Sequence, residues 1–173
     1  METILGVHDG HNSSAAVIKQ GKIVAAIQEE RITRNKNQDG IPLQAIDEVL
    51  ALADATPSTL SKVALNGKYM TYAHMTPESL AKEYEGSGGW LEQLRQPLKG
   101  TIIDRFYQRG KARNRANQLA GAGFDNSMLA PIDHHTAHAS AAYYGSGWQG
   151  KVLVLTCDGS GDRLSATVSV GEN

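Results

Sequence analysis

A single cysteine, Cys157, stands among 173 residues, so the chain has no internal disulfide framework and suits a reducing compartment. Its upstream neighbours, Val152 to Thr156, are apolar or β-branched, which predicts a buried structural thiol instead of a nucleophile. Neither sign of charge is in excess: 17 Lys+Arg against 18 Asp+Glu give a formal net charge of −1. No global attraction to nucleic acid or an anionic membrane follows, and any phosphate must be met by a local site. No apolar run approaches the roughly 18 residues of a membrane span, and the N-terminus lacks a basic stretch followed by an apolar one. The expectation is a cytoplasmic protein. Aromatics are sparse, at 6%, and no repeat or low-complexity segment interrupts the chain. What remains, 40% hydrophobic and 20% charged, is an ordinary globular composition, long enough for one core or for part of a larger domain.

Thr3 to Val7 is a short apolar run leading into His8-Asp9-Gly10-His11-Asn12-Ser13-Ser14. Ala15 to Ile18 and Lys22 to Ile27 flank a Gln20-Gly21 turn, which predicts a hairpin. The opening therefore reads strand, polar loop, strand, tight turn, strand. Closely spaced backbone N–H groups in such a polar loop can cradle an anion, although Asn, Gly and Ser are also ordinary turn residues. Gln28 to Lys36 carries five ionisable residues in nine. It reads either as a solvated strand end or helix face, or as an anion-binding edge using Arg34 and Lys36.

Pro42 opens a helix whose Leu43, Ile46, Val49, Leu50 and Ala53 recur at helical spacing, a core face. A short helical turn at Thr56-Pro57-Ser58 and a strand over Lys62 to Asn66 follow. From about 68 to 123 the pattern predicts a helical insertion, with a helix start at Thr76-Pro77-Glu78, a break at Gly86 to Gly89 and a restart at Trp90. Its basic residues Lys99, Arg105, Arg109, Lys111, Arg113 and Arg115 read as a solvated or partner-facing surface, since the acidic remainder argues against a nucleic-acid patch.

Beyond a strand over Met128 to Ile132, the stretch Asp133-His134-His135-Thr136-Ala137-His138-Ala139 holds three of the chain's six histidines. On a helix, His134 and His138 project from one face one turn apart and can share a metal ion, with His135 off that face. A third ligand is offered by Asp158, at the end of the β-run Lys151 to Thr156. The alternative is solvated or helix-capping histidines. Gly145-Ser146-Gly147 ends the helix, Asp158-Gly159-Ser160-Gly161-Asp162 is a second small-residue turn, and Leu164 to Val170 returns as a strand.

Four of these stretches, Ile4 to Ala16, Gln28 to Lys36, Asp133 to Ala139 and Asp158 to Asp162, resemble the O-carbamoyltransferases that act on nodulation factors, cephamycins and aminoglycosides. The resemblance implies an α/β ribonuclease H-like, actin-like (sugar-kinase-like) half-domain, a mixed sheet with flanking helices. It further implies His134, His138 and Asp158 as ligands of an iron-type ion, with Zn²⁺ or Mn²⁺ as alternatives. His11 would act near the transferred carbamoyl group. Lys36 would lie near an acyl-adenylate, with Arg34, Ser13, Gly159, Ser160 and Gly161 completing the phosphate contacts. The substrates would be ATP, carbamoyl phosphate and a small-molecule hydroxyl acceptor. Members of this family are about three times longer, so residues 1–173 read as an N-terminal portion, with the missing C-terminal domains of the same polypeptide as partner and a homodimer left open. Asp162 departs from the Glu expected at its position, and its role stays open. The rival readings are a sugar- or acetate-kinase-like phosphotransferase, whose Mg²⁺ would be poorly served by a histidine pair, and a non-catalytic metal-binding module.

Overall fold

The computed structural model describes residues 2–68, 102–162 and 164–172, the side chains of 102–107 and of Ser160 excepted. Strands β1 (Thr3–His8), β2 (Ser14–Lys19) and β3 (Lys22–Gln28) form an antiparallel meander. β4 (Lys62–Asn66) joins the other side of β1 in parallel, and β5 (Leu129–Ile132) joins β4 in parallel. The sheet order is therefore β3-β2-β1-β4-β5. An antiparallel meander extended by parallel strands in this order is the arrangement of a ribonuclease H-like core, so the α/β, mixed-sheet reading of the sequence is met in the topology itself.

Strand periodicity explains which face is buried. Leu5, Val7, Ala15, Val17, Val63 and Leu65 lie on one face and are at most 3% exposed. Helix α2 (Leu43–Leu52) follows a short helix α1 (Glu29–Thr33) and lays Ala45, Ile46, Val49 and Leu50 onto that face. The β2–β3 turn places Gln20 and Gly21 at φ 54° and 75°, a left-handed pair that matches the twist of a two-residue hairpin.

Glu29 departs from the solvated reading of its segment, being 3% exposed. The N-cap of α2 is Pro42, which offers no side-chain acceptor. The buried Glu29 carboxylate takes that role, accepting from Gln44 N at 3.2 Å and Ala45 N at 2.6 Å.

Helix α3 (Ile102–Gly121) covers the described part of the predicted insertion, with Leu119 and the following Phe124 joining the core. The predicted features at Thr76, Gly86 to Gly89 and Trp90, and Lys99, lie outside the described residues. Helix α4 (His134–Ser146) begins directly after β5 and ends on Gly147 at φ 71°. A separate two-stranded sheet follows, β6 (Val152–Gly161) with β7 (Leu164–Gly171).

Two expectations are corrected here. β6 continues through Asp158 to Gly161, where the sequence suggested a turn; the ladder pairs Cys157 with Ala166 and then Gly161 with Leu164, so Asp158, Gly159 and Ser160 bulge opposite Ser165. Cys157 is exposed instead of buried. Alternation puts Val154 and Thr156 under α4 and turns Leu153, Leu155 and Cys157 to the outer face, which no described element covers.

Candidate functional site

The histidine helix and the β6 bulge meet where the spacing of the sequence implied. His134 and His138 are one helical turn apart, and Asp158 follows Val154 and Thr156 on the β6 face that looks at α4. His134 Nε2 lies 2.7 Å from Asp158 Oδ2, His138 Nε2 lies 3.0 Å from His134 Nε2, and His138 Nε2 lies 3.5 Å from Asp158 Oδ2. A ring nitrogen carries at most one proton, so His134 Nε2 cannot donate to both neighbours, and no arrangement of neutral rings satisfies all three contacts. One shared cation does. The donor set, two imidazoles and a carboxylate, suits a divalent transition ion with further positions open. Hydrogen bonds from His134 and Gly159 N hold the Asp158 carboxyl below its usual range, keeping it an anion.

Several neighbours fix this triangle. A Cβ at Gly161 would overlap the His134 ring, so the close approach of β6 to α4 requires glycine there. Asp133 caps α4, its Oδ1 accepting from Thr136 N at 3.0 Å. Asp162, at φ 49° in the β6–β7 turn, turns its Oδ2 to His134 N at 2.8 Å and Lys68 N at 2.9 Å. His135 is 1% exposed, and its ring ties α4 to both strands: Nε2 donates to Leu164 O at 3.0 Å, which leaves Nδ1 to accept from Thr156 Oγ1 at 2.8 Å. With both ring nitrogens bonded to β6 and β7, it works as an internal strut.

A second polar cluster occupies the carboxyl ends of β1 and β4, the end of a parallel sheet at which α/β folds hold ligands. Arg115, from α3, donates to Asp9 Oδ1 at 2.7 Å, Gly67 O at 3.1 Å and Asn66 O at 3.0 Å. Burial pushes its guanidinium below the ordinary value, partly offset by Asp9. It therefore does not belong to a solvated basic face, unlike the exposed Arg109 and Arg113. His8 is locked between Asn66 Nδ2, donating to its Nδ1 at 2.9 Å, and His11 O, which accepts from its Nε2 at 2.9 Å. Three buried atoms here and nearby, Ser13 Oγ, Asn66 Oδ1 and Arg115 Nε, have no hydrogen-bond partner among the described residues. Unpaired buried polar groups are costly, and a polar ligand would satisfy them.

The remaining sequence candidates are distributed as follows. His11 is exposed in the loop that its own carbonyl and His8 steady. Ser13 is buried, and its backbone N–H donates to Gln38 O at 2.9 Å, while Gly40 N donates to Asp9 O at 3.1 Å. These bonds lay Gln38 and Gly40 beside the first loop; Arg34 and Lys36, a few residues upstream, are exposed. Gly159 N–H is already taken by Asp158 Oδ1 at 2.6 Å, so that amide is committed to orienting the carboxylate. Sequence reasoning missed His8, Asp9, Asn66 and Arg115 as parts of the site. A charged Asp9 at a strand end was the available signal, whereas Arg115 gave none within its own basic helix.

The family model described as carbamoyltransferase N-terminus matches residues 3–173. Among curated relatives, nodulation protein NolNO of Sinorhizobium fredii is 26% identical over 93% of this chain and 21% of its own length. An uncharacterized protein of Synechocystis is 28% identical over 99% of this chain and 28% of its own length. The chain thus spans about a quarter of the length of these two relatives. Among solved structures, YeaZ from Pseudomonas aeruginosa aligns with a TM-score of 0.39 at 13% identity, over 98% of this chain and 66% of that one. The fold assignment rests on sheet order and not on this likeness.

Proposed function

Because the chain belongs to the carbamoyltransferase family through its N-terminal domain, we propose that it forms the metal-binding half of a cleft in which a longer parent protein transfers a carbamoyl group to a hydroxyl. The observation that carries this reading is the convergence of His134 Nε2, His138 Nε2 and Asp158 Oδ2 within 3.5 Å of one another. These three residues would hold a divalent ion, iron by the family resemblance, with zinc or manganese as alternatives. The chemistry such an ion supplies when bound is Lewis-acid stabilisation of charge on a phosphate or carbonyl oxygen.

The chain's own residues account for the rest. The donor would be a carbamoyl-adenylate made from carbamoyl phosphate and ATP. The acceptor oxygen attacks the carbamoyl carbon, the bond from that carbon to the adenylate oxygen breaks, AMP leaves, and the hydroxyl proton passes to a base. His11 is the base proposed, on the loop that His8 and Asp9 steady; a well-placed base contributes about 10²–10⁴-fold. Arg34 and Lys36, exposed just upstream of the Gln38–Gly40 segment that bonds to that loop, supply positive charge to the phosphate, and the unpaired Ser13 hydroxyl supplies a polar contact.

Calorimetric titration with Zn²⁺ tests the metal site: His138→Ala should lose the binding seen in the wild-type chain, and equal stoichiometry and affinity in the two would sink it. In the full-length parent, His11→Asn should abolish carbamoylated product while leaving pyrophosphate release largely intact, because proton abstraction belongs only to the transfer step. If both half-reactions fall together, His11 shapes the loop and is no base.

A further inference from the structure

The metal triangle is assembled from two elements that do not share a sheet. His134 and His138 stand on α4, which leaves the end of β5, whereas Asp158 stands on β6 of the separate β6–β7 pair. Some group must fix the start of α4 against the tip of that pair. We propose that Asp162 is this positioning residue: its carboxylate pins the first turn of α4 and the segment just after β4 to the β6–β7 turn, and so sets the spacing of His134 and His138 from Asp158. The inference rests on the metal reading above and gives Asp162 a role distinct from that of a ligand.

Three observations carry it. One carboxylate oxygen, Asp162 Oδ2, accepts both His134 N at 2.8 Å and Lys68 N at 2.9 Å, from segments 28 and 94 residues away in sequence. His134 N is one of the first amides of α4, which have no acceptor within the helix, and the Asp133 side chain serves Thr136 N instead. An anion at that point is also favoured by the helix dipole. Asp162 lies at φ 49°, a left-handed conformation that Asp tolerates at little cost and that a two-residue hairpin turn demands. The turn that reverses the strand thereby aims the carboxylate back at the helix. The bond to His134 N acts on the backbone of the very residue whose ring is a ligand, so a shift there is passed directly to Nε2.

Groups that orient ligands without touching the ion typically govern affinity by about 10–100-fold. Zn²⁺ titration of the 173-residue chain should therefore show Asp162→Ala weakened by about tenfold or more. Asp162→Asn, which keeps an acceptor oxygen, should stay close to wild type. Amide hydrogen exchange in the metal-free chain gives the independent readout: the His134 and Lys68 amides should exchange faster in Asp162→Ala and not in Asp162→Asn. Wild-type zinc affinity in Asp162→Ala, or equal loss in both variants, would overturn the inference. If the alanine variant does not fold, Asp162→Glu, which displaces the same acceptor by one methylene, replaces it: weakened binding supports the role and unchanged binding overturns it. If the wild-type chain takes up no zinc, the metal reading fails, and the positioning role then stands or falls on the two amides alone.

Discussion

The two hairpins at the ends of this chain are built alike in sequence and treated differently by the fold. β1–β2 and β6–β7 are each an apolar strand, a small polar connection and an apolar return strand. In the first, Leu5 and Val17 are completely buried under α2, and β1 is also paired with β4. In the second, Thr156 and Val154 are buried against α4, but Leu153, Leu155, Val168 and Val170 stand 64–69% exposed on the other face. These four are cross-strand neighbours, Leu153 opposite Val170 and Leu155 opposite Val168. The first hairpin is thus stabilised through its packing, and the second through α4 and the struts His135 and Asp162. An apolar strand tells where burial is possible. Whether it occurs is decided by what the rest of the chain lays over it.

That contrast can be broken most forcefully at the loop end of the first hairpin. Arg115→Met leaves Asp9 buried without its partner and should cost about 3–5 kcal/mol in urea unfolding; a loss comparable to that of an exposed pair would show that the cluster is wetter than its geometry implies. Next, Leu5→Ala should cost about 2–5 kcal/mol through lost burial and a residual cavity. The matching change in the second hairpin, Leu155→Ala, should stay within about 0.5 kcal/mol. Equal losses at Leu5 and Leu155 would mean that the outer face of β6–β7 is covered in solution. The smallest effect belongs to Asp125, whose side chain accepts from Ser127 N at 2.7 Å and whose carboxyl is held below its usual range by that bond. A lowered folded-state value gives stability above the ordinary carboxylate range that is lost as pH falls through the folded value. The difference between wild type and Asp125→Ala should therefore shrink on acidification, and a constant difference would assign the bond no part in it.

The pattern of what could be read in advance follows from the range of the interactions. His134 and His138 declare themselves through a helical period, and Asp158 through its place before a glycine at the end of an apolar β-run, because both signals are local. The antiparallel opening was approachable for the same reason, since the Gln20-Gly21 turn is a short-range device, whereas the parallel pairing of β4 with β1 and β5 is set by distant segments. Arg115 was illegible: within its own helix it is one more basic residue, and only the approach of α3 to the ends of β1 and β4 turns it into a buried partner of Asp9. Glu29 was misread likewise, since nothing adjacent to it announces that Pro42 leaves α2 without a cap. Cys157 failed for the reason the two hairpins teach, a continuous apolar run being taken as covered on both faces.

The Asp9–Arg115 bond also carries a consequence in time. Its partners are separated by 106 positions, so a nascent chain elongating at about 5–20 residues per second holds Asp9 without its arginine for roughly 5–20 seconds. Through that interval β1 can pair with β2 and β4, and His8 can meet Asn66, but the Asp9 carboxylate has no guanidinium beside it. The first loop, steadied early through Gln38, Gly40 and Asn66, therefore gains its last bond only when α3 arrives.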